Sequence, residues 1–128
     1  MKNYDPEVVP EAREWLVVDE PQRIDRAEDF HRAARIKLPN PTLHAVFHAI
    51  VENQIAEGLE PVVAAMARLM KDGLSRHEAL HAIGSVASEY IFETLSAPGS
   101  ADSGTAQARY NAAVERLTAT KWRRQSGV

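Results

Sequence analysis

Residues 41–58 read PTLHAVFHAIVENQIAEG, and this stretch decides the fold class. Its apolar residues recur every three or four positions, which is the spacing of one face of an α-helix. They are Leu43, Phe47, Ile50 and Val51. The proline-containing segment 37–41 interrupts the chain before the stretch, and Gly58, a residue typical of helix ends, closes it. The pattern therefore predicts a helix from about Thr42 to Glu57.

Proline and glycine divide the rest of the chain into further helix-sized pieces, and no segment alternates with period two for long enough to predict a strand. The other predicted helices cover about Pro6–Val18, Pro21–Ile36, Glu60–Lys71, Ser75–Ser96 and Thr105–Arg124. Pro10 is an alternative first turn for the first of them. Ser75 and Glu78 form a Ser-x-x-Glu capping box, which marks the start of one of them. We therefore predict an all-α, single-domain bundle over residues 1–128, with five to six helices and short connections.

The composition is that of an ordinary globular protein, with 128 residues, 45% hydrophobic and 26% charged. The chain contains no cysteine, so any metal has to be held by histidine, carboxylate or water. A formal net charge of -3 argues against nucleic acid as a partner. No apolar run approaches the roughly 20 residues of a membrane span, and the polar N-terminus does not resemble a signal peptide. We expect a cytoplasmic protein that does not bind membranes, and its oligomeric state, including a homo-oligomer, stays open.

Four of the five histidines form two pairs, and the members of each pair are four residues apart. The pairs are His44 with His48 and His77 with His81. Residues at this spacing share one face of a helix, so each pair can direct both imidazoles at one point. Glu52 continues the first stripe by one further step of four. Because helical bundles build metal sites from such side chains, the pairs indicate a site between helices 42–57 and 75–96.

We predict a divalent transition-metal site, with Zn, Ni or Fe as the suspected ion. The predicted ligands are His44, His48, Glu52, His77 and His81. Glu52 is either a fifth ligand or an outer partner that fixes a histidine tautomer. Water on the metal would allow hydrolytic chemistry, although whether the protein is an enzyme stays open. The opposing hypothesis is a non-enzymatic protein-interaction module, in which a His–Glu hydrogen-bond network is purely structural. His31 has no histidine at helical spacing, and we predict a structural role for it.

Residues 77–81 read HEALH, which matches the short zinc-peptidase pattern His-Glu-x-x-His. In that pattern the histidines bind zinc and the glutamate is the general base, so Glu78 is a candidate catalytic residue. The third histidine of the longer pattern would fall at Ala87, which cannot bind a metal. Glu78 also has the competing role in the capping box. The sequence therefore favours peptidase chemistry less than another kind of metal site.

Two resemblances to known families bear on the same residues. His48/Glu52 and His77/His81 are similar to the ligand motifs of hemerythrin-like bundles, in which His31 would correspond to the ligand of the first helix. The last predicted helix contains no histidine, which argues against a di-iron centre. Segments 43–54 and 68–84 resemble small bacterial proteins of an uncharacterised family. That resemblance implies a bacterial origin and no established activity.

Overall fold

Helices make up most of the computed structural model, which describes residues 3–35, 40–96 and 103–125. The seven described helices are α1 (Ala12–Val17), α2 (Glu20–Ala33), α3 (Pro41–Ala56), α4 (Glu60–Lys71), α5 (Arg76–Ser96), α6 (Ser103–Arg116) and α7 (Ala119–Gln125). The described residues form no strand. The all-α prediction is thereby confirmed, with one helix more than the upper end of the predicted range. In the described ranges, none of the helices combines the length and apolar character that crossing a bilayer requires.

The additional helix arises because the predicted helix Thr105–Arg124 is interrupted at Thr118. The backbone N–H of Leu117 donates to the carbonyl of Val114 at 3.2 Å, which closes a tight turn. The Thr118 hydroxyl oxygen then accepts from the N–H of Lys121 at 3.1 Å. A threonine that accepts this bond is a helix cap, so α7 begins as a separate helix.

The N-terminal segment 3–10 consists of turns and irregular backbone, so the prediction of a helix from Pro6 was wrong for its first turns. The helix begins after Pro10, where the Glu11 carboxylate accepts from the N–H of Glu14 at 2.8 Å. Tyr4 is only 5% exposed, so the segment packs against the helices. Ile36, the predicted end of the second helix, lies outside the described residues, and α2 ends at Ala33.

Helix α3 lies between two apolar clusters, and this position sets the direction of its histidines. Val51 belongs to the larger cluster, which includes buried side chains of α4, α5 and α6. Ala45 and Ala49 belong to the smaller cluster, together with Tyr4, Trp15 and Ala27. With 100° of rotation per residue, the stripe of His44, His48 and Glu52 falls between these two faces of α3. The imidazoles are therefore held at the boundary between the clusters, where α2 and α5 also pack against α3.

Candidate metal centre

All five histidines of the chain converge at one point between three helices. One ring nitrogen of each lies within 4.8 Å of those of the others. Helix α2 contributes His31, α3 contributes His44 and His48, and α5 contributes His77 and His81. The structure thus brings together the four histidines that the sequence predicts as ligands, and it adds His31, for which we predicted a structural role and which the hemerythrin resemblance alone compared to a ligand.

The closest approaches in the cluster join Nε2 atoms. His48 Nε2 lies 3.0 Å from that of His81 and 3.2 Å from that of His77. The Nε2 atoms of His44 and His81 are 3.0 Å apart, and those of His31 and His77 are 3.2 Å apart. Nitrogens that share one metal ion through bonds of about 2.0–2.1 Å lie about 3.0–3.4 Å from each other. The four observed distances fall in the range that ligands of a single ion would have.

A hydrogen-bond chain fixes the tautomer of His48. The Tyr4 hydroxyl donates to Glu52 Oε2 at 2.5 Å, and its oxygen lies 3.1 Å from His48 Nδ1. Because the hydroxyl proton is used on Glu52, the Tyr4 oxygen accepts from His48 Nδ1–H. The neutral ring then carries its lone pair on Nε2, which is the form that binds a metal.

His31 is fixed in the same tautomer by a backbone group. Its Nδ1 lies 2.7 Å from the carbonyl oxygen of Ala27, which can only accept a hydrogen bond. Nδ1 therefore donates, and Nε2 is the ring nitrogen that faces the cluster. The side chain is only 2% exposed, so this geometry is held by its surroundings. Helical spacing could not reveal His31, because it is a single histidine on its helix, and only the resemblance to hemerythrin-like bundles compared it to a ligand.

The Glu52 carboxylate lies behind His48 and is not among the converging groups. Arg76 binds it with both terminal nitrogens, at 2.8 Å and 2.7 Å, and also donates to the carbonyl of Pro6 at 2.9 Å. The Arg76 and Glu52 side chains are 3% and 1% exposed. The carboxylate is thus placed for the second of its two predicted roles, the outer partner that fixes a tautomer. Sequence reasoning missed Arg76 and Tyr4.

Burial favours the neutral form of the four histidines on α3 and α5. It lowers the pKa of His44 to about 4 and that of His81 to about 3, and repulsion between the histidines acts in the same direction. Burial, with the same repulsion, also lowers the pKa of His48, and it lowers the pKa of His77, where the nearby Glu7 carboxylate partly opposes the shift. Neutral rings have a free lone pair, so the cluster is ready to bind a cation at neutral pH.

We expect the metal-free protein to lose stability as the pH falls below about 6.5, the pKa of histidine in an unfolded chain. In the folded state His44, His48 and His81 stay neutral to a much lower pH, so the unfolded state binds more protons in this window. Stability is therefore complete above pH 6.5 and is lost progressively towards the folded-state pKa values of about 4 for His44 and about 3 for His81. Each such imidazole contributes a slope of up to about 1.4 kcal/mol per pH unit.

Urea unfolding of chelator-treated protein between about pH 5 and 7 measures this slope. This window lies above the pH range in which exposed carboxylates titrate. The matched control is His44→Gln, which removes one titrating imidazole and should reduce the slope. A free energy of unfolding that is independent of pH in this window, or an equal slope in the variant, would show that the imidazoles are not held neutral.

Glu78, the candidate base of the peptidase interpretation, lies outside the cluster. Its side chain is exposed, and its backbone N–H donates to the Ser75 hydroxyl oxygen at 3.1 Å. The serine side of the predicted capping box is therefore present. His77 and His81 of HEALH do join the cluster, but the other converging histidines come from α2 and α3. Glu78 is therefore not placed beside the converging histidines, where the general base of a zinc peptidase would have to lie.

Two clefts lie near α3 and α5. One, of about 240 Å³, opens beside the cluster and is walled by Phe47, Leu80 and Trp122, with the serines Ser85 and Ser88 also lining it. The other, of about 280 Å³, lies between α3, α5 and α6, and its described lining residues include no histidine. Only the smaller cleft is therefore adjacent to groups that could bind a metal.

Comparison with known proteins does not extend this assignment. No family model, curated protein or solved structure matches the chain. The fold and the site define an all-helical protein with five histidines gathered from three helices. The resemblance of segments 43–54 and 68–84 to bacterial proteins of an uncharacterised family stays a prediction.

Proposed function

We propose that this protein binds one divalent transition-metal ion through its five histidines. The observation that carries the proposal is the convergence of five ring nitrogens within 4.8 Å of one another. Imidazole suits Zn, Ni and Fe, and the absence of cysteine leaves no thiolate to compete for the ion. A metal at such a site lowers the pKa of bound water, so hydrolytic chemistry becomes available wherever a coordination position stays free.

Hydrogen bonding alone explains the cluster less well than a shared cation does. Two facing Nε2 atoms satisfy each other only when one donates and the other accepts. His77 has a single Nε2 hydrogen, yet it faces acceptors on both His31 and His48. His81 likewise faces both His44 and His48. The hydrogens are too few for the four short contacts, whereas a cation attracts every lone pair at once.

The surroundings of the cluster favour a cation. The buried Glu52–Arg76 pair is neutral as a whole, so it does not repel a positive ion. The carboxylates of Glu7 and Asp5 lie close enough to His77 to favour its positive form. The same negative potential favours a metal ion at the cluster.

We expect the melting temperature of protein without an affinity tag to rise when Zn²⁺, Ni²⁺ or Fe²⁺ is added. An ion that binds only the folded state raises the free energy of unfolding by about 2.7 kcal/mol when its concentration is a hundredfold above its Kd. For a chain of this size the increase corresponds to roughly 10 °C. A thermal melt with metal, with chelator and with neither measures it. Three identical melting temperatures would overturn the proposal.

We expect Tyr4→Phe to weaken metal binding by about 10–100-fold, the range for the outer partner of a histidine ligand. The change removes the acceptor of His48 Nδ1–H and a donor to Glu52, so buried polar groups are left unsatisfied at a cost of about 1–3 kcal/mol. A competition titration against a coloured chelator gives the affinity, and urea unfolding gives the stability.

Tyr110→Phe is a matched control for this variant. Tyr110 is 6% exposed and Tyr4 is 5% exposed, and the Tyr110 hydroxyl donates to Gln54 at 2.7 Å, a bond that does not involve the histidines. The control should lose stability and keep its metal affinity. If both variants bind metal as well as the unaltered protein does, Tyr4 has no role in fixing His48.

A further inference from the structure

The five imidazole rings are arranged around one of their number. The ring centroid of His48 lies 4.6–5.0 Å from the centroids of the other four. Those four follow one another around a square, in the order His31, His77, His81 and His44. Neighbouring centroids in this square are 4.2–5.2 Å apart.

The diagonals of the square are longer than its sides. His31 and His81 face each other across it, with centroids 6.1 Å apart and rings only 21° from parallel. The other diagonal joins His44 to His77, the one pair among these five described histidines without a ring contact. The four short Nε2 contacts follow sides of the square or lead to His48, and none crosses a diagonal. The rings therefore form a square pyramid with His48 at its apex.

We infer, building on the proposed metal binding, that the ion has five imidazole ligands and a sixth position opposite His48 that accepts a small anion. Ligands at right angles on bonds of about 2.1 Å lie about 3.0 Å apart, whereas tetrahedral ligands lie about 3.4 Å apart. Two of the four observed contacts, at 3.0 Å, equal the first value, and the other two, at 3.2 Å, lie midway, so the square-pyramidal order of the rings decides between the geometries. This geometry favours an ion that accepts five or six ligands, such as Fe²⁺ or Ni²⁺, over four-coordinate Zn²⁺.

Three of the four histidines in the base of the pyramid are accessible to solvent. The apex, His48, is 3% exposed and is backed by Tyr4. In the base, His44, His77 and His81 are partly exposed, whereas His31 is 2% exposed. A small molecule can therefore reach the base of the pyramid from solvent past His44, His77 and His81.

Charge indicates the class of ligand that this position takes. Five neutral imidazoles bring no negative charge to the ion, and the Glu52–Arg76 pair behind the apex adds no net charge. The carboxylates of Glu7 and Asp5 act on the site only through His77 and do not bind the ion, so a charge remains at the free position. A small anion that binds through one donor atom neutralises part of this charge, which a neutral ligand cannot do. The substrate or effector of the site is therefore a small anion.

Cobalt provides the test, because the visible absorption of Co²⁺ is several-fold weaker with five or six ligands than with four. Untagged protein is loaded with Co²⁺, its cobalt content is measured, and it is titrated with azide. We expect one cobalt per chain, a weak spectrum and a spectral change that saturates at one azide per cobalt. Failure to hold cobalt would overturn the proposed function. An intense four-coordinate spectrum, or no response to azide, would overturn only the inference about the sixth position.

A cleft-filling variant tests the direction of approach. Ser88 lines the cleft beside His44, His48 and His81, and the lining of this cleft includes the apex of the pyramid. Ser88→Phe should therefore leave cobalt content unchanged and azide affinity within about twofold. A tenfold loss of azide affinity with cobalt retained would show that the ligand enters through the cleft, and would overturn the assignment of the position opposite His48.

Discussion

Replacing Arg76 with methionine is expected to lower the free energy of unfolding by about 3–5 kcal/mol, because it leaves a buried carboxylate without its partner. Arg76 binds both oxygens of Glu52 at 2.7 Å and 2.8 Å, and the two side chains are 3% and 1% exposed. Removing one member of such a pair costs more than removing both, since the remaining charge stays desolvated. Urea unfolding of the metal-free protein measures the loss.

Two further variants separate the ion pair from the loss of side-chain packing. Adding Glu52→Gln to Arg76→Met removes the isolated charge, so the double variant should be more stable than Arg76→Met alone. Arg32→Met is the exposed control, because Arg32 pairs with Glu28 and Asp29 on the surface of α2, where such pairs contribute up to about 1 kcal/mol. If Arg76→Met lowers the free energy of unfolding as little as Arg32→Met does, the buried ion pair does not stabilise the protein.

His48→Ala is expected to reduce metal affinity by more than about a hundredfold, beyond the range for the loss of an outer partner. His48 has short Nε2 contacts with both His77 and His81, and its tautomer is fixed through Tyr4. Its loss therefore removes both a ligand and the connection to the buried chain of Tyr4, Glu52 and Arg76. A competition titration with a coloured chelator measures the affinity of the variant.

Glu78→Gln is the matched control for the loss of His48. Glu78 is exposed and lies outside the converging groups, so its replacement should leave metal affinity unchanged and stability within about 0.5 kcal/mol. Equal affinities for His48→Ala and unaltered protein would show that the metal binds elsewhere. Reduced affinity in Glu78→Gln would instead support a role for the HEALH glutamate at the site.

The sequence predicted the part of the site whose geometry is local. His44, His48, His77 and His81 lie in pairs four residues apart, and the regular turn of a helix converts this spacing into a shared face. Tyr4 and Arg76 could not be predicted in this way. Tyr4 meets His48 across 44 residues of sequence, and Arg76 meets Glu52 across 24, so tertiary packing alone creates these contacts.

The helix boundaries also include some that the local sequence predicts and some that tertiary packing sets. The predicted limits Glu60–Lys71 coincide with those of α4, because Pro61 in the first turn and Gly73 after the last turn mark both ends. The N-terminus offered two prolines, Pro6 and Pro10, and either could begin a helix by the same rule. The burial of Tyr4 and Pro6 against the bundle, which the local sequence does not encode, places the start after the second proline.

The central claim is that five imidazoles surround one ion, and an X-ray absorption spectrum of untagged, nickel-loaded protein tests it most directly. We expect one nickel per chain after dialysis, with a shell dominated by five imidazole nitrogens at about 2.1 Å. Nickel that is lost on dialysis, or that is retained with a shell made mainly of oxygen, would contradict a metal centre built from His31, His44, His48, His77 and His81.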